Sequence, residues 1–182
     1  MDDIRFNQLS KRLGYQFQER SLLVQALTHR SAGNPHNERL EYLGDSILGF
    51  VIAKHLFNRF PEQPEGKLTR MRSSLVKGET LADLARDMDL GEVIRLGPGE
   101  MKSGGFSRDS ILSDAVEAVI GALYIEAGID KTEELILLWF AQKIQSLDPD
   151  FHPKDNKTRL QEFTQSKHMP LPEYQVTKIT GK

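Results

Sequence analysis

The sequence predicts an essentially all-α domain over residues 1–147, followed by a shorter and incomplete α/β piece. Three observations predict it. Apolar residues recur at helical spacing in one segment after another, no alternating apolar run occurs before residue 150, and Gly- and Pro-rich stretches separate the periodic segments.

Residues 1–32 read as helical, with Ile4, Leu9 and Leu13 followed by Leu22, Leu23, Ala26 and Leu27. Ser31-Ala-Gly-Asn-Pro35 breaks the chain. A long helix is predicted over Asn37–Asn58, ended by Pro61-Glu-Gln-Pro-Glu-Gly66. Further helices are expected over Gly66–Leu75 and Gly78–Met88, the latter with Leu81, Leu84 and Ala85 as its apolar stripe. Five glycines and a proline make Gly91–Gly105 a loop with mobile sections. Ser110–Ala127 and Thr132–Ile144 complete the domain. Residues 148–155 carry two prolines and no periodicity, as a linker would. One helix, Asn156–Ser166, and one strand-like piece, Glu173–Ile179, follow.

Composition narrows the function classes. The chain has no cysteine, which excludes disulfides, thiolate zinc sites and cysteine nucleophiles. Its longest apolar runs, Ile47–Ala53 and Leu135–Ala141, are too short to span a bilayer. The start Met-Asp-Asp-Ile-Arg lacks the pattern of a secretory signal. No membrane partner and a cytoplasmic location are therefore expected. The formal net charge is −2, whereas nucleic-acid binders are usually basic. Residues 151–182 hold six Lys/Arg against three acids, and residues 1–150 hold 18 against 23. An acidic domain can engage a polyanion if its acids gather where metal cations neutralise them.

Asn37-Glu-Arg-Leu-Glu-Tyr-Leu-Gly-Asp-Ser-Ile-Leu48 is the most informative segment. At about 100° per residue, Glu38, Glu41 and Asp45 fall within an arc of roughly 60° on one helix face. Leu40, Leu43, Ile47 and Val51 form the opposite, apolar stripe. An acidic solvated face near a helix start is one reading, favoured by the helix dipole. Asp45 fits it badly, because it lies two turns in.

A second helix, around Ser113-Asp-Ala-Val-Glu-Ala-Val-Ile-Gly-Ala-Leu-Tyr124, repeats the spacing with Asp114 and Glu117. Its apolar stripe is Val116, Val119, Ile120, Leu123 and Tyr124. Gly121 stands where a third acid would follow, and Gly44 lies beside Asp45. Glycine inside a helix costs about 1 kcal/mol relative to alanine, so both glycines suggest a close approach of two helices that converges four carboxylates. Oxygen-only ligands select hard cations such as Mg²⁺ or Mn²⁺, the usual apparatus of phosphoryl transfer.

The same residues carry a family resemblance. Asn37–Leu48 is similar to the ribonuclease III signature, and Ala26-Leu-Thr-His-Arg-Ser31 and Arg108-Asp-Ser-Ile-Leu-Ser-Asp-Ala-Val-Glu-Ala118 match its flanking blocks in order and separation. The resemblance covers residues 1–150. It implies that residues 1–147 are a ribonuclease III endonuclease helical domain, in which Glu41, Asp45, Asp114 and Glu117 bind catalytic Mg²⁺, with Mn²⁺ able to substitute. Asp45 and Glu117 would be the most critical of the four. Glu38 would contact RNA or order the ligands, and Glu65 would be a further acid of the cleft, although a first-turn acid of an ordinary helix explains it too. Tyr42 would enter a socket on a partner subunit of a homodimer, although an aromatic at that position also fits a core. The implied activity is hydrolysis of double-stranded RNA to 5′-phosphate and 3′-hydroxyl ends, in rRNA and other RNA processing.

Asp155-Asn-Lys-Thr-Arg-Leu-Gln-Glu-Phe-Thr-Gln165 and Pro172-Glu-Tyr-Gln-Val176 resemble the beginning of a double-stranded RNA-binding domain. In that reading Gln161 and Glu162 face the RNA minor groove. One helix and one strand cannot bury a core, so residues 156–182 are expected to be a fragment, disordered or packed opportunistically. Gly97-Pro-Gly-Glu-Met-Lys-Ser-Gly-Gly105 lacks the spacing of a phosphate loop. It reads as a loop near the site, with Lys102 and Arg108 as candidate phosphate contacts; Lys67, Arg70, Arg72 and Lys77 could line an RNA path or be a solvated helix face. His29 and His36 read as capping or loop residues. The rival functions are a catalytically silent double-stranded RNA-binding protein of the same fold, a phosphohydrolase of small substrates, and a structural helical dimer.

Overall fold

The computed structural model describes residues 3–148 and 156–174. They form two compact units, Met1–Leu147 and Asp148–Lys182. The first unit is helical: α1 (Asp3–Leu13), α2 (Arg20–Ala26), α3 (Glu38–Arg59), α4 (Glu65–Val76), α5 (Gly78–Asp87), α6 (Pro98–Lys102), α7 (Asp109–Trp139) and α8 (Ala141–Gln145). Among the described residues the only β pairing is a single parallel bridge between Thr28 and Arg95.

Helix α7 is the centre of the unit, with α3, α5 and α2 packed on it. Its sequence explains why: Ala115, Val116, Ala118, Val119, Ile120, Ala122 and Leu123 are all buried, so nearly every face of this stretch is covered. Tyr124, read as part of that stripe, is instead exposed. Helix α3 presents Leu40, Ile47, Leu48, Val51, Ile52 and Leu56 to the core, while Leu43 is half-buried. Contacts advance together along both helices, from Gly44 against Glu117 and Gly121 to Lys54 paired with Glu133. The two helices therefore run parallel.

The break expected between Ala127 and Thr132 is a kink rather than a loop. Gly128 takes φ 77° and ψ 179°, and helical hydrogen bonding resumes around it. The buried Thr132 hydroxyl donates to the Gly128 carbonyl at 2.8 Å, so the hydroxyl is paired inside the core. At the far end the Trp139 indole donates to the Leu13 carbonyl at 3.0 Å, fastening α7 to α1.

The stretch read as a loop over Gly91–Gly105 is more structured than its composition suggests. It holds α6 and parts of two 3₁₀ turns, Leu90–Glu92 and Gly105–Ser107. Pro98 opens α6, where a missing N–H is harmless and its fixed φ suits a helix. Tertiary contacts also hold this stretch. His29 N–H donates to the Arg95 carbonyl at 3.0 Å, Arg95 N–H to the Leu27 carbonyl at 2.8 Å, and Gly97 N–H to Ser31 Oγ at 2.9 Å.

In the second unit, α9 (Asn156–Ser166) occupies the predicted helix. Glu173 and Tyr174 carry no strand pairing, and residues 175–179 of the strand-like piece lie outside the described residues, as does most of the linker.

Candidate metal centre

The centre is built where α3 crosses α7. Both helices are glycine at the crossing. A Cβ added to Gly44 would stand 1.7 Å from the Glu117 carbonyl oxygen, and one added to Gly121 would stand 2.2 Å from that of Leu40. No side chain fits either gap, so backbone lies on backbone. The acids one turn before these glycines are brought together as a result.

Glu41 of α3 and Asp114 and Glu117 of α7 form the inner group. One carboxylate oxygen from each lies within 4.8 Å of the others, and all three side chains are half-buried. Burial pushes the Glu117 carboxyl up to about 8, helped by the charges of Asp45, Asp114 and Glu41. Burial likewise raises Glu41, with Asp114, Glu38 and Asp45 adding repulsion and Arg30 opposing it. Asp114 is raised by burial against the opposing effects of Ser113, His29 and Arg30. Three carboxyl groups that resist ionising because they are desolvated and face one another would be stabilised in their charged form by a cation. An oxygen-only set of this kind fits a hard divalent ion.

Asp45 is exposed and stands outside the group of three, acting on Glu117 and Glu41 through space. Glu38 is also at the rim. It pairs with Arg30 at 3.3 Å, and its other oxygen lies 3.8 Å from His36 Nδ1. Around the acids opens a polar cleft of about 430 Å³, lined by His29, Arg30, Asn37, Glu38, Glu41, Glu100, Arg108, Ser110, Ile111 and Asp114.

The remaining candidates divide. Arg108 lines this cleft, held at 2.8 Å by Glu100 and at 3.1 Å by Ser103 Oγ. Lys102 is exposed on α6 and is not a lining residue. Glu65 lies apart. It opens α4, accepts a 2.6 Å hydrogen bond from Thr69, and lines a different, apolar groove of about 360 Å³ with Phe50, Phe57, Leu68 and Arg72. Tyr42 is 79% exposed, so it is not a core residue. Gln161 is half-buried on α9, and the Glu162 side chain lies outside the described set. His29 caps the 3₁₀ turn Arg30–Ala32, its Nδ1 accepting from Ser31 N–H.

Sequence reasoning missed Asn37, Arg30 and Glu100 as parts of the cleft. Asn37 was legible only as a helix start. Arg30 reaches the site because the Thr28–Arg95 bridge and the Gly97–Ser31 contact dock its segment there; a Cβ on Gly97 would be 2.1 Å from the Ser31 carbonyl oxygen. Glu100 arrives on the short α6, for which no apolar periodicity speaks.

Known proteins are similar to this chain in sequence and in fold. A family model described as Ribonuclease-III-like matches residues 19–144. The chain is 54% identical over 182 residues to Ribonuclease 3 of Proteus mirabilis, spanning all of this chain and 80% of that protein. The nuclease domain of ribonuclease III from Campylobacter jejuni superposes with a TM-score of 0.76 at 38% identity, covering 81% of this chain and all of that one. A second structure of the Campylobacter domain, described for flexibility in its dimer-forming region, gives 0.74 at 38% identity, with 76% and 97% coverage. Dicer from Pichia stipitis gives 0.58 at 25% identity, covering 90% of this chain and 75% of that one. A matched family model over most of the chain, a relative identical at more than half of this chain's positions and the helical architecture all agree: this chain belongs to the ribonuclease III family.

Proposed function

We propose that the protein is a double-strand-specific endoribonuclease that hydrolyses RNA phosphodiester bonds with divalent metal, leaving 5′-phosphate and 3′-hydroxyl ends. The observation that carries this reading is the convergence of Glu41, Asp114 and Glu117 within 4.8 Å on two helices crossing at glycine. Glu41, Asp114 and Glu117 would hold the metal, with Asp45 joining from the rim. When bound, Mg²⁺ (or Mn²⁺ in its place) supplies an activated water and charge neutralisation at the phosphate. Arg30 and Arg108 would meet phosphate oxygens at the cleft wall, and Glu38 would hold Arg30 in place. Lys102 would add a phosphate contact further out on α6.

Double-stranded RNA is the proposed partner, in rRNA and other RNA processing in the cytoplasm. Among the described residues no helix is long and apolar enough to cross a membrane. A homodimer is proposed through α3. Tyr42, Phe50 and Phe57 lie on one stripe at helical spacing and are 79%, 57% and 68% exposed, beside the apolar groove of α3 and α4. Glu65, at that groove, would act near the interface rather than at the metal of its own cleft. Residues 148–155 are proposed as a linker and 156–182 as the first part of a double-stranded RNA-binding domain, with Gln161 and Glu162 toward the minor groove.

Cleavage of a long RNA duplex with Mg²⁺, Ca²⁺ or chelator, beside Glu117→Gln, tests the reading. Mg²⁺-dependent cutting lost in the variant supports it. Duplex binding without cutting by the wild-type chain would replace it with the catalytically silent alternative.

A further inference from the structure

Asn37 is the one polar residue of the cleft wall that is nearly enclosed and whose side chain makes no capping bond. It is 4% exposed, and what exposure it keeps is onto the cleft it lines. It stands at the N-cap of α3, where asparagine ordinarily bonds the second or third helical N–H, yet its side chain makes no capping bond. Its backbone is fully engaged: N–H donates to the Thr28 carbonyl at 2.9 Å, and its carbonyl accepts from Leu40 and Glu41 N–H, both at 2.9 Å. The amide could also have bonded the Glu41 carboxylate, one turn further along the same face. No such bond is made. The amide therefore keeps its N–H donors open to the cleft it lines, available to a group that arrives from outside.

The surroundings say which group. Asn37 shares the cleft lining with the acids Glu38, Glu41 and Asp114 and with the cations Arg30 and Arg108. An acid in its place would add to a repulsion already strong enough to push Glu117 up to about 8. A lysine would neutralise the carboxylates and compete with a metal for them. A neutral N–H donor does neither, and it can still bond a phosphate oxygen that comes to the acids. Resting on the nuclease reading above, we infer that the Asn37 side-chain N–H donates to a nonbridging oxygen of the scissile phosphate. It is thus a substrate-contacting residue distinct from the metal-binding acids. The rigid backbone of the Thr28–Asn37 junction fixes the donor before the substrate arrives, which is where such donors gain their effect.

The test is single-turnover cleavage of a duplex with saturating enzyme, across a Mg²⁺ titration, for the full chain and for Asn37→Ala and Asn37→Asp. Asn37→Asp keeps the shape of the side chain and removes the donor. The expected result is a fall in the cleavage rate of about 10²-fold for Asn37→Ala, the scale set by loss of one preorganised donor, with an unchanged Mg²⁺ midpoint and unchanged duplex binding in Ca²⁺. Asn37→Asp should lose at least as much, and cleavage measured well below each variant's own melting temperature separates loss of the donor from loss of the fold. A duplex carrying sulfur at one nonbridging position of the scissile phosphate should be cut more slowly by the wild-type chain. In Asn37→Ala one of the two sulfur diastereomers should cost less than it does in wild type, because the lost contact is shared. Wild-type rates in either variant, a loss removed by raising Mg²⁺, or sulfur and alanine effects that simply multiply for both diastereomers would overturn the contact. Failure of the wild-type chain to cut the unmodified duplex would instead overturn the nuclease reading, and the contact with it.

Discussion

Gly44 and Gly121 face each other across the crossing of α3 and α7, each occupying space that a single methyl group at the other's level would need. A Cβ on Gly44 would come 1.7 Å from the Glu117 carbonyl oxygen and 3.0 Å from Gly121 N. A Cβ on Gly121 would come 2.2 Å from the Leu40 carbonyl oxygen and 3.3 Å from Gly44 N. The residues that would be struck are backbone of the same two helices that carry Glu41, Asp114 and Glu117. The fit of the helices and the spacing of the acids are therefore one property.

Alanine at either glycine tests this. In an exposed helix, Gly→Ala would stabilise by up to about 1 kcal/mol. Here the opposite sign is expected, because the helices must separate, and overpacking costs about 1–3 kcal/mol. Urea unfolding of Gly44→Ala, Gly121→Ala and the double variant measures it. The double variant should lose less than the two singles combined, since one separation relieves both clashes. Metal affinity should fall in the same order as stability.

The Glu117 carboxyl, pushed up to about 8 by burial and by its acidic neighbours, predicts a pH dependence. Its folded value lies above the unfolded one, so it favours the folded state at low pH. That contribution is lost as pH rises from about 4.5 toward 8. In chelator the melting temperature should therefore decline across that window more steeply than in Glu117→Gln. Metal binding must displace the proton, so Mg²⁺ affinity should rise with pH and level off above about 8. Calorimetry at pH 7 in two buffers of different ionisation enthalpy should register proton release. Equal heats in both buffers would contradict a protonated Glu117.

Tyr42→Ala should leave the fold intact, because the side chain is 79% exposed, while weakening self-association. An aromatic anchor at an interface is typically worth 2 kcal/mol or more, so the dimer dissociation constant should rise by at least roughly tenfold. Sedimentation equilibrium decides it, and a Tyr42→Ala protein that associates as wild type would remove Tyr42 from the interface.

Glu126 is a structural residue that no motif announces. Its carboxylate accepts from Gln18 N–H at 3.0 Å, Glu19 N–H at 2.8 Å and the Tyr15 hydroxyl at 2.9 Å, so it holds the turn entering α2 against α7. Hydrogen bonds to a charged group contribute about 1.5–3 kcal/mol. Glu126→Ala should destabilise by an amount in that range and speed amide exchange at Gln18 and Glu19. Exchange at Glu41 and Glu117 should change only in step with global stability.

Arg86 joins Asp83 on its own helix, at 3.0 Å, to Asp109 at the start of α7. All three side chains are solvent-facing, and exposed pairs of this kind contribute about 0–1 kcal/mol. Arg86→Ala should therefore shift the melting temperature far less than Glu126→Ala, and a thermal scan of the two side by side checks the ranking.

The sequence by itself determined the long helices and the acid faces, while the break at residues 14–19 between α1 and α2 and the short α6 escaped it. Spacing of Leu40, Ile47 and Val51 against Glu38, Glu41 and Asp45 requires only 3.6-residue periodicity, a local property of the chain, and it places α3 within a residue at each end. Gly44 and Gly121 were legible as a close approach because an interior helical glycine is unfavourable unless something needs the space. Only the tertiary structure decided which acids meet. Glu41, Asp114 and Glu117 converge while Asp45 stays at the rim and Glu65 falls on another groove, since relative rotation of packed helices is set by contacts between distant segments. The same reason hid the cleft wall. Arg30 and Glu100 reach the acids through the Thr28–Arg95 bridge, the Gly97–Ser31 contact and the short α6. These are docking events between loops, with no periodicity to betray them. Asn37 shows the division within one residue: its backbone role at a helix start is written in the sequence, and its idle amide in the cleft appears only when the helices are packed.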